Sequence, residues 1–196
     1  MRTMRLLRPA ALGLTLAVAL VLPAAAHPGH GTDSFTSGLL HPFGGLDHLL
    51  AMVAVGLIAA RIGLATAWRM PAAFMTAMAL GALAGFEGTT LPGIEYGIAL
   101  SVAAAGLALA LAMPIPTLAA IGATAAFGFC HGMAHGLELP DAASPISFSL
   151  GMLLGTALLH AAGFVVGLAM RNGTGLTLCR AGGAVAAAVG VVMLMG

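Results

Sequence analysis

Polar residues in this chain come in short clusters, and the stretches between them are almost uniformly apolar. Six apolar runs can be separated, at about 39–60, 71–86, 94–113, 116–137, 146–170 and 176–195. A helix rises about 1.5 Å per residue, so most of these runs can cross about 30 Å of hydrocarbon. The second run is short and is expected to extend towards Thr90. Connections are brief and rich in Gly and Pro, as in Gly88-Thr89-Thr90-Leu91-Pro92-Gly93, Pro114-Ile115-Pro116 and Pro140-Asp141. Small residues recur four apart (Gly81/Gly85, Gly151/Gly155, Gly163/Gly167), a spacing that lets neighbouring helices approach closely. The pattern predicts an all-α fold, a polytopic membrane bundle of six transmembrane helices, with no internal repeat.

A further apolar stretch precedes the six. Arg2, Arg5 and Arg8 lead into Ala10 to Leu22, followed by Ala24-Ala25-Ala26. A basic segment, a short apolar core and small residues are the features of a secretory signal. Cleavage is expected after Ala26, dividing the chain into a signal peptide, 1–26, and a membrane domain, 27–196. The alternative is an uncleaved additional span, for which the apolar core is short.

Composition strengthens the membrane reading. Of 196 residues, 60% are hydrophobic and 7% are charged, whereas a soluble domain carries about 25% charged residues. All seven basic residues are arginines, few and scattered, which excludes a nucleic-acid-binding surface. Two cysteines form neither a disulfide framework nor a CxxC metal site, and no disulfide between Cys130 and Cys179 is expected. Six crossings starting outside would put Arg61, Arg69, Arg171 and Arg180 on the cytoplasmic side. Asp33, Glu87, Glu95, Glu138 and Asp141 would fall outside, and Asp47 in the outer half of the first span. Every arginine beyond the signal then obeys the positive-inside rule. The expected location is a bacterial inner membrane, with the mature N-terminus periplasmic and negative charge gathered at an outer mouth that would attract cations.

The candidate chemistry lies at that mouth. In Phe129-Cys130-His131-Gly132-Met133-Ala134-His135-Gly136-Leu137-Glu138, His135 falls about 40° from His131 on a helix, and Glu138 about 20° on the other side. Three metal-capable groups thus share one stripe, beside a stripe of Gly128, Gly132 and Gly136. The first span opens with His41-Pro42-Phe43-Gly44-Gly45-Leu46-Asp47-His48. His41 and His48 lie within about 20° of one another on a regular helix, while Asp47 points about 120° away from His41. Pro42 suits a first helical turn, which would leave His41 just outside the helix, and Gly44-Gly45 can distort it. Spacing alone does not close a site, and capping or buried hydrogen bonds would also account for each residue. His160 lies near the middle of the fifth run, with Thr156 one turn before and Gly163 one turn after. An ionisable residue at that depth is either a second metal site or a structural histidine bonded to a neighbouring helix. His27 and His30, next to a free α-amine, offer a weak metal-capture lead, or a plain polar terminus. Most of the twelve methionines read as packing.

With these residues in view, the chain resembles the HupE/UreJ family of nickel/cobalt permeases. The resemblance rests on His41-Pro42…Asp47-His48 and His131-Gly132…His135-Gly136…Glu138, and covers essentially the whole chain. The family tends to have Phe before the His-Gly of the fourth span, where this chain has Cys130, a softer potential ligand. The resemblance implies uptake of Ni²⁺, or Co²⁺, for metalloenzymes such as hydrogenase or urease, with no prosthetic group. The transported ion and membrane lipid would be the partners, and a homo-oligomer is compatible. On residue chemistry, His41, Asp47, His48, His131, His135 and Glu138 would converge between the first and fourth spans. Imidazole and carboxylate suit Ni²⁺, Co²⁺ and Zn²⁺ alike. The rival readings are an intramembrane zinc-dependent hydrolase and a metal sensor or structural metal site.

Overall fold

The structure is a computed structural model that describes residues 34–139 and 144–196; the signal segment, His27, His30, Asp33 and Asp141 lie outside the described residues. Among the described residues all regular structure is helical: α1 Ser34–Gly44, α2 Leu46–Ile62, α3 Arg69–Phe86, α4 Ile94–Ala110, α5 Thr117–Leu137, α6 Pro145–Ala169 and α7 Gly173–Met195. Four of these, α3, α5, α6 and α7, are long and apolar enough to cross a membrane, and α1 with α2 passes the same test as one broken span. At 17 residues, α4 is apolar but shorter, about 26 Å in length. The outer surface is that of a membrane protein: Leu118, Ile146, Val192 and Met195 are among the most exposed side chains. In water such a surface would be costly; against lipid it is matched.

The run 39–60 is not one helix. α1 begins at Ser34, whose hydroxyl accepts a hydrogen bond from the Ser144 amide, and it carries Pro42 within its last turn. His41 is therefore a residue of α1, not a residue before the first helix. The break falls at Gly45, which is extended at φ −99°, ψ 127°, and α2 leaves at 80° to α1. Proline removes one amide donor from the helical ladder, and the glycine pair offers little resistance to the turn. The second run also differs from expectation. α3 begins at Arg69 and stops at Phe86, because Gly88 adopts φ +76°, a conformation that ends a helix.

Small residues decide the pairing of helices. Along α5, Gly128, Gly132 and Gly136 sit against the backbones of Phe74, Met78 and Ala82 in α3, so these two helices run parallel in close contact. Gly106 of α4 lies against Gly183 and Ala187, and Gly190 of α7 against Ala103, an antiparallel pair. α6 collects both halves of the broken span: Gly151 meets Phe35 and Leu39 of α1, and Gly163 meets Val53 of α2. Where a glycine removes the side chain from an interface, backbones approach and dispersion contacts replace the missing hydrophobic drive between helices in lipid. Two arginines close helix ends in the manner expected of cations at C-termini. Arg171 Nη2 donates to Ala60 O of α2 at 2.5 Å, and Arg180 Nε to Ala110 O of α4 at 2.8 Å.

Candidate metal centre

The bend at Gly45 folds His41 back towards His48. Their ring centroids are 5.8 Å apart, and His135 of α5 enters from the other side, 4.5 Å from His41 and 4.4 Å from His48. One ring nitrogen from each of His41, His48 and His135 lies within 4.8 Å of the other two. His48 and His135 are buried and His41 is exposed, so the trio is open on one side only.

Two of these rings already face each other. Nε2 of His48 and Nε2 of His135 are 2.5 Å apart, a distance at which the lone pairs need a proton or a cation between them. Imidazole–metal bonds are about 2.0–2.1 Å long. Two such bonds at a right angle hold their nitrogens about 3.0 Å apart, so binding would spread this pair by about half an ångström. Asp47 Oδ1 lies 2.8 Å from Nδ1 of His48, at ion-pair distance though outside the geometry of a good hydrogen bond. A carboxylate behind an imidazole favours the proton on Nδ1 and leaves Nε2 free as a ligand. Asp47 thus stands behind His48, not beside the three converging nitrogens. Gly45 is required here for a second reason: a Cβ would meet Asp47 Oδ1 and His48 Nδ1, the side chains folded over the start of α2.

His131, one turn before His135, is fully buried, and its ring is 4.8 Å from that of His48. Its nitrogens are not part of the converging trio. Ser101 of α4 fixes its tautomer. The Ser101 hydroxyl donates to Ile98 O at 2.6 Å, so it accepts from Nε2–H of His131 at 3.0 Å. That leaves Nδ1 of His131 as a buried acceptor with no hydrogen-bond partner. Residue spacing gave no indication of Ser101; the available signal was a single serine within the apolar run 94–113. Glu138 closes the end of α5 and is exposed, apart from the trio. Cys130 faces Gly97 of α4, and both it and Cys179 are free thiols. His160 lies deeper, with its ring 5.2 Å from Phe74, which in turn is 5.5 Å from His131.

Comparison with known proteins shows the family. A family model described as HupE / UreJ protein matches residues 14–193. The chain is 42% identical over 186 residues to Protein HupE of Rhizobium leguminosarum bv. viciae, covering 93% of this chain and 96% of that protein. No solved structure matches. With the match running through both histidine segments and every described helix, the chain belongs to the HupE/UreJ family.

Proposed function

We propose that this protein is a permease that carries a divalent transition metal, Ni²⁺ or Co²⁺, inward across the membrane. The observation that carries this reading is the trio His41, His48 and His135: three imidazole nitrogens converging within 4.8 Å, open on one side, inside a bundle whose outer surface is apolar. Buried polar groups at membrane depth are expensive and are kept for function. Neutral imidazoles replace part of the ion's hydration shell, Asp47 supplies compensating charge behind His48, and Glu138 and the other acids at that end concentrate cations at the mouth.

The direction of transport rests on topology. Counting α1 with α2 as one broken crossing and α4 as a short one, the bundle crosses six times, which brings both termini of the domain to the same, outer face and the four arginines to the opposite one. The parallel pairing of α3 with α5, and of the broken span with α6, is what alternating crossings demand of elements two and four crossings apart. Arg61, Arg69, Arg171 and Arg180 then share the cytoplasmic end, and the histidine trio faces the periplasm. A divalent cation moving inward gains about 4.6 kcal/mol per 100 mV, twice the single-charge value, from a potential negative inside.

Purified protein in liposomes, with Ni²⁺, Co²⁺ and Zn²⁺ offered separately, tests the reading. Potential-dependent accumulation of Ni²⁺ or Co²⁺ that His48→Ala and His135→Ala each reduce at least tenfold is the expected result. Wild-type accumulation by both variants would sink the model.

A further inference from the structure

Arg61, Arg69, Arg171 and Arg180 share one end of the bundle, and the described acids lie at the other. Asp47 opens α2 and Arg61 is in its last turn; Arg69 opens α3 and Glu87 follows its last residue. Glu95 is in the first turn of α4, whose far end Arg180 caps at Ala110 O. Glu138 ends α5, which runs parallel to α3. Among the described residues, therefore, no carboxylate is within reach of these guanidinium groups. Arg171 uses one of its five N–H donors on Ala60 O. Arg61 makes no ion pair and no hydrogen bond among the described residues.

These two arginines line one cavity of about 360 Å³ between α2, α6 and α7. Its lining is divided by depth. Arg61, Arg171 and the Asn172 side chain, which makes no capping bond to α7, are at the helix ends. Leu57 lies one turn, about 6 Å, further into the bundle on α2, and Leu176 one turn into α7. At that depth Gly167 brings α6 against Leu57 and Ala60, so the two walls are in contact. Cationic forks at the level of the headgroups thus stand over an apolar wall at the start of the hydrocarbon.

We propose that this cavity binds the headgroup of an anionic phospholipid from the leaflet at that end, with Arg61 and Arg171 on its phosphate. The inference goes beyond the permease reading and involves no metal. A guanidinium fork matches two phosphate oxygens at once, and basic pockets between membrane helices suit anionic headgroups. Free phosphate would use the two arginines and leave the apolar wall without a partner, whereas a lipid places the start of an acyl chain against Leu57 and Leu176. Because Arg61 belongs to α2 and Arg171 to the α6–α7 connection, one bound lipid ties these elements together. Binding to the folded chain alone raises its Tm.

The test uses the full chain in a neutral maltoside detergent, with phosphatidylglycerol, phosphatidylcholine or inorganic phosphate added separately. Phosphatidylglycerol is expected to raise Tm by about 5 °C at saturation, with the other two nearly without effect. Arg61→Gln should weaken the half-saturating lipid concentration at least about fivefold. Asn172→Asp should do the same: its carboxylate faces the guanidinium groups and repels phosphate, while aspartate remains a good helix cap and the fold is kept. Arg69→Gln is the control, since Arg69 is at the same end but stacks on Trp68 outside the cavity, and lipid affinity should stay within about twofold. If Arg61→Gln does not fold, Asn172→Asp decides alone. Wild-type lipid affinity in the folded variants would overturn the proposal, as would equal weakening in Arg69→Gln, which would mean surface charge without a site. An equal Tm rise with inorganic phosphate would overturn the lipid assignment, and an equal rise with phosphatidylcholine would overturn the role of anionic charge.

Discussion

Replacing Gly132 by alanine adds one methyl group where α5 has no room for it. The new Cβ would overlap the Met78 carbonyl oxygen and lie 2.6 Å from Met78 C and 2.8 Å from Cα, against an ordinary contact of 3.4 Å or more. These are backbone atoms of α3, so no side-chain rotation relieves the clash, and clearing the carbonyl oxygen requires the two helices to part by about 1 Å or more. Overpacking of this kind costs about 1–3 kcal/mol. At about 2 kcal/mol the ratio of folded to unfolded protein falls about 30-fold. The shift also reaches the candidate metal site, because His131 precedes Gly132 directly and His135 follows by three residues. Displacement exceeding about 0.5 Å is enough to degrade a ligand constellation. Gly122 on the same helix provides the comparison, since a Cβ there meets nothing within 4 Å. Gly122→Ala should therefore be neutral or stabilising by up to about 1 kcal/mol, from the better helix propensity of alanine. Thermal unfolding in detergent, followed by exposure of the free thiols Cys130 and Cys179 to a fluorescent maleimide, reads both variants. Ni²⁺ binding should weaken in Gly132→Ala alone. If Gly132→Ala is as stable as Gly122→Ala, the close α3–α5 approach is not what positions the histidines.

Asp47→Asn keeps the shape behind His48 and removes the charge, so metal affinity should fall about 10–100-fold with little change in Tm, measured by dialysis and thermal unfolding. Ser101→Ala removes the acceptor for His131 Nε2–H and should destabilise the fold by about 1–3 kcal/mol, an effect that Ser101→Thr largely restores. Gly45→Ala should weaken Ni²⁺ binding more than it lowers Tm, because its Cβ meets the side chains of Asp47 and His48 and not the core. Protons and metal compete for the same imidazole lone pairs, so Ni²⁺ affinity should rise with pH and fall on acidification; affinity that is flat between pH 5.5 and 7.5 would argue against neutral histidine ligands.

The helical membrane architecture was legible in the sequence because apolar runs and Gly/Pro connections are local signals. The runs 94–113, 116–137 and 146–170 correspond to Ile94–Ala110, Thr117–Leu137 and Pro145–Ala169 with small end shifts. What spacing could not provide is the contact between elements. Ser101 and Phe74 are distant in sequence from the histidines they touch, and neither carries a metal-ligand signature of its own. Glu138 shares the helical stripe of His131 and His135 by angle, yet the helix stops at Leu137 and leaves the carboxylate exposed beyond it.

The geometry of the first crossing shows why angle alone misleads. On a straight helix seven residues separate His41 and His48 by about 10.5 Å along the axis, too far for both imidazoles to reach one ion. Their rings are instead 5.8 Å apart, because the chain turns by 80° between them. Pro42 and Gly45 therefore shape the histidine trio as much as the histidines do, although neither could bind a metal through its side chain. The turn also has to be held. α1 is fastened to α6 through Gly151 and Gly155, and α2 through Gly56 and Gly163, so both arms of the bend rest on the same helix. That same helix carries His160. Movement of α6 against α1 and α2 would thus change the angle of the bend, and with it the spacing of His41 and His48.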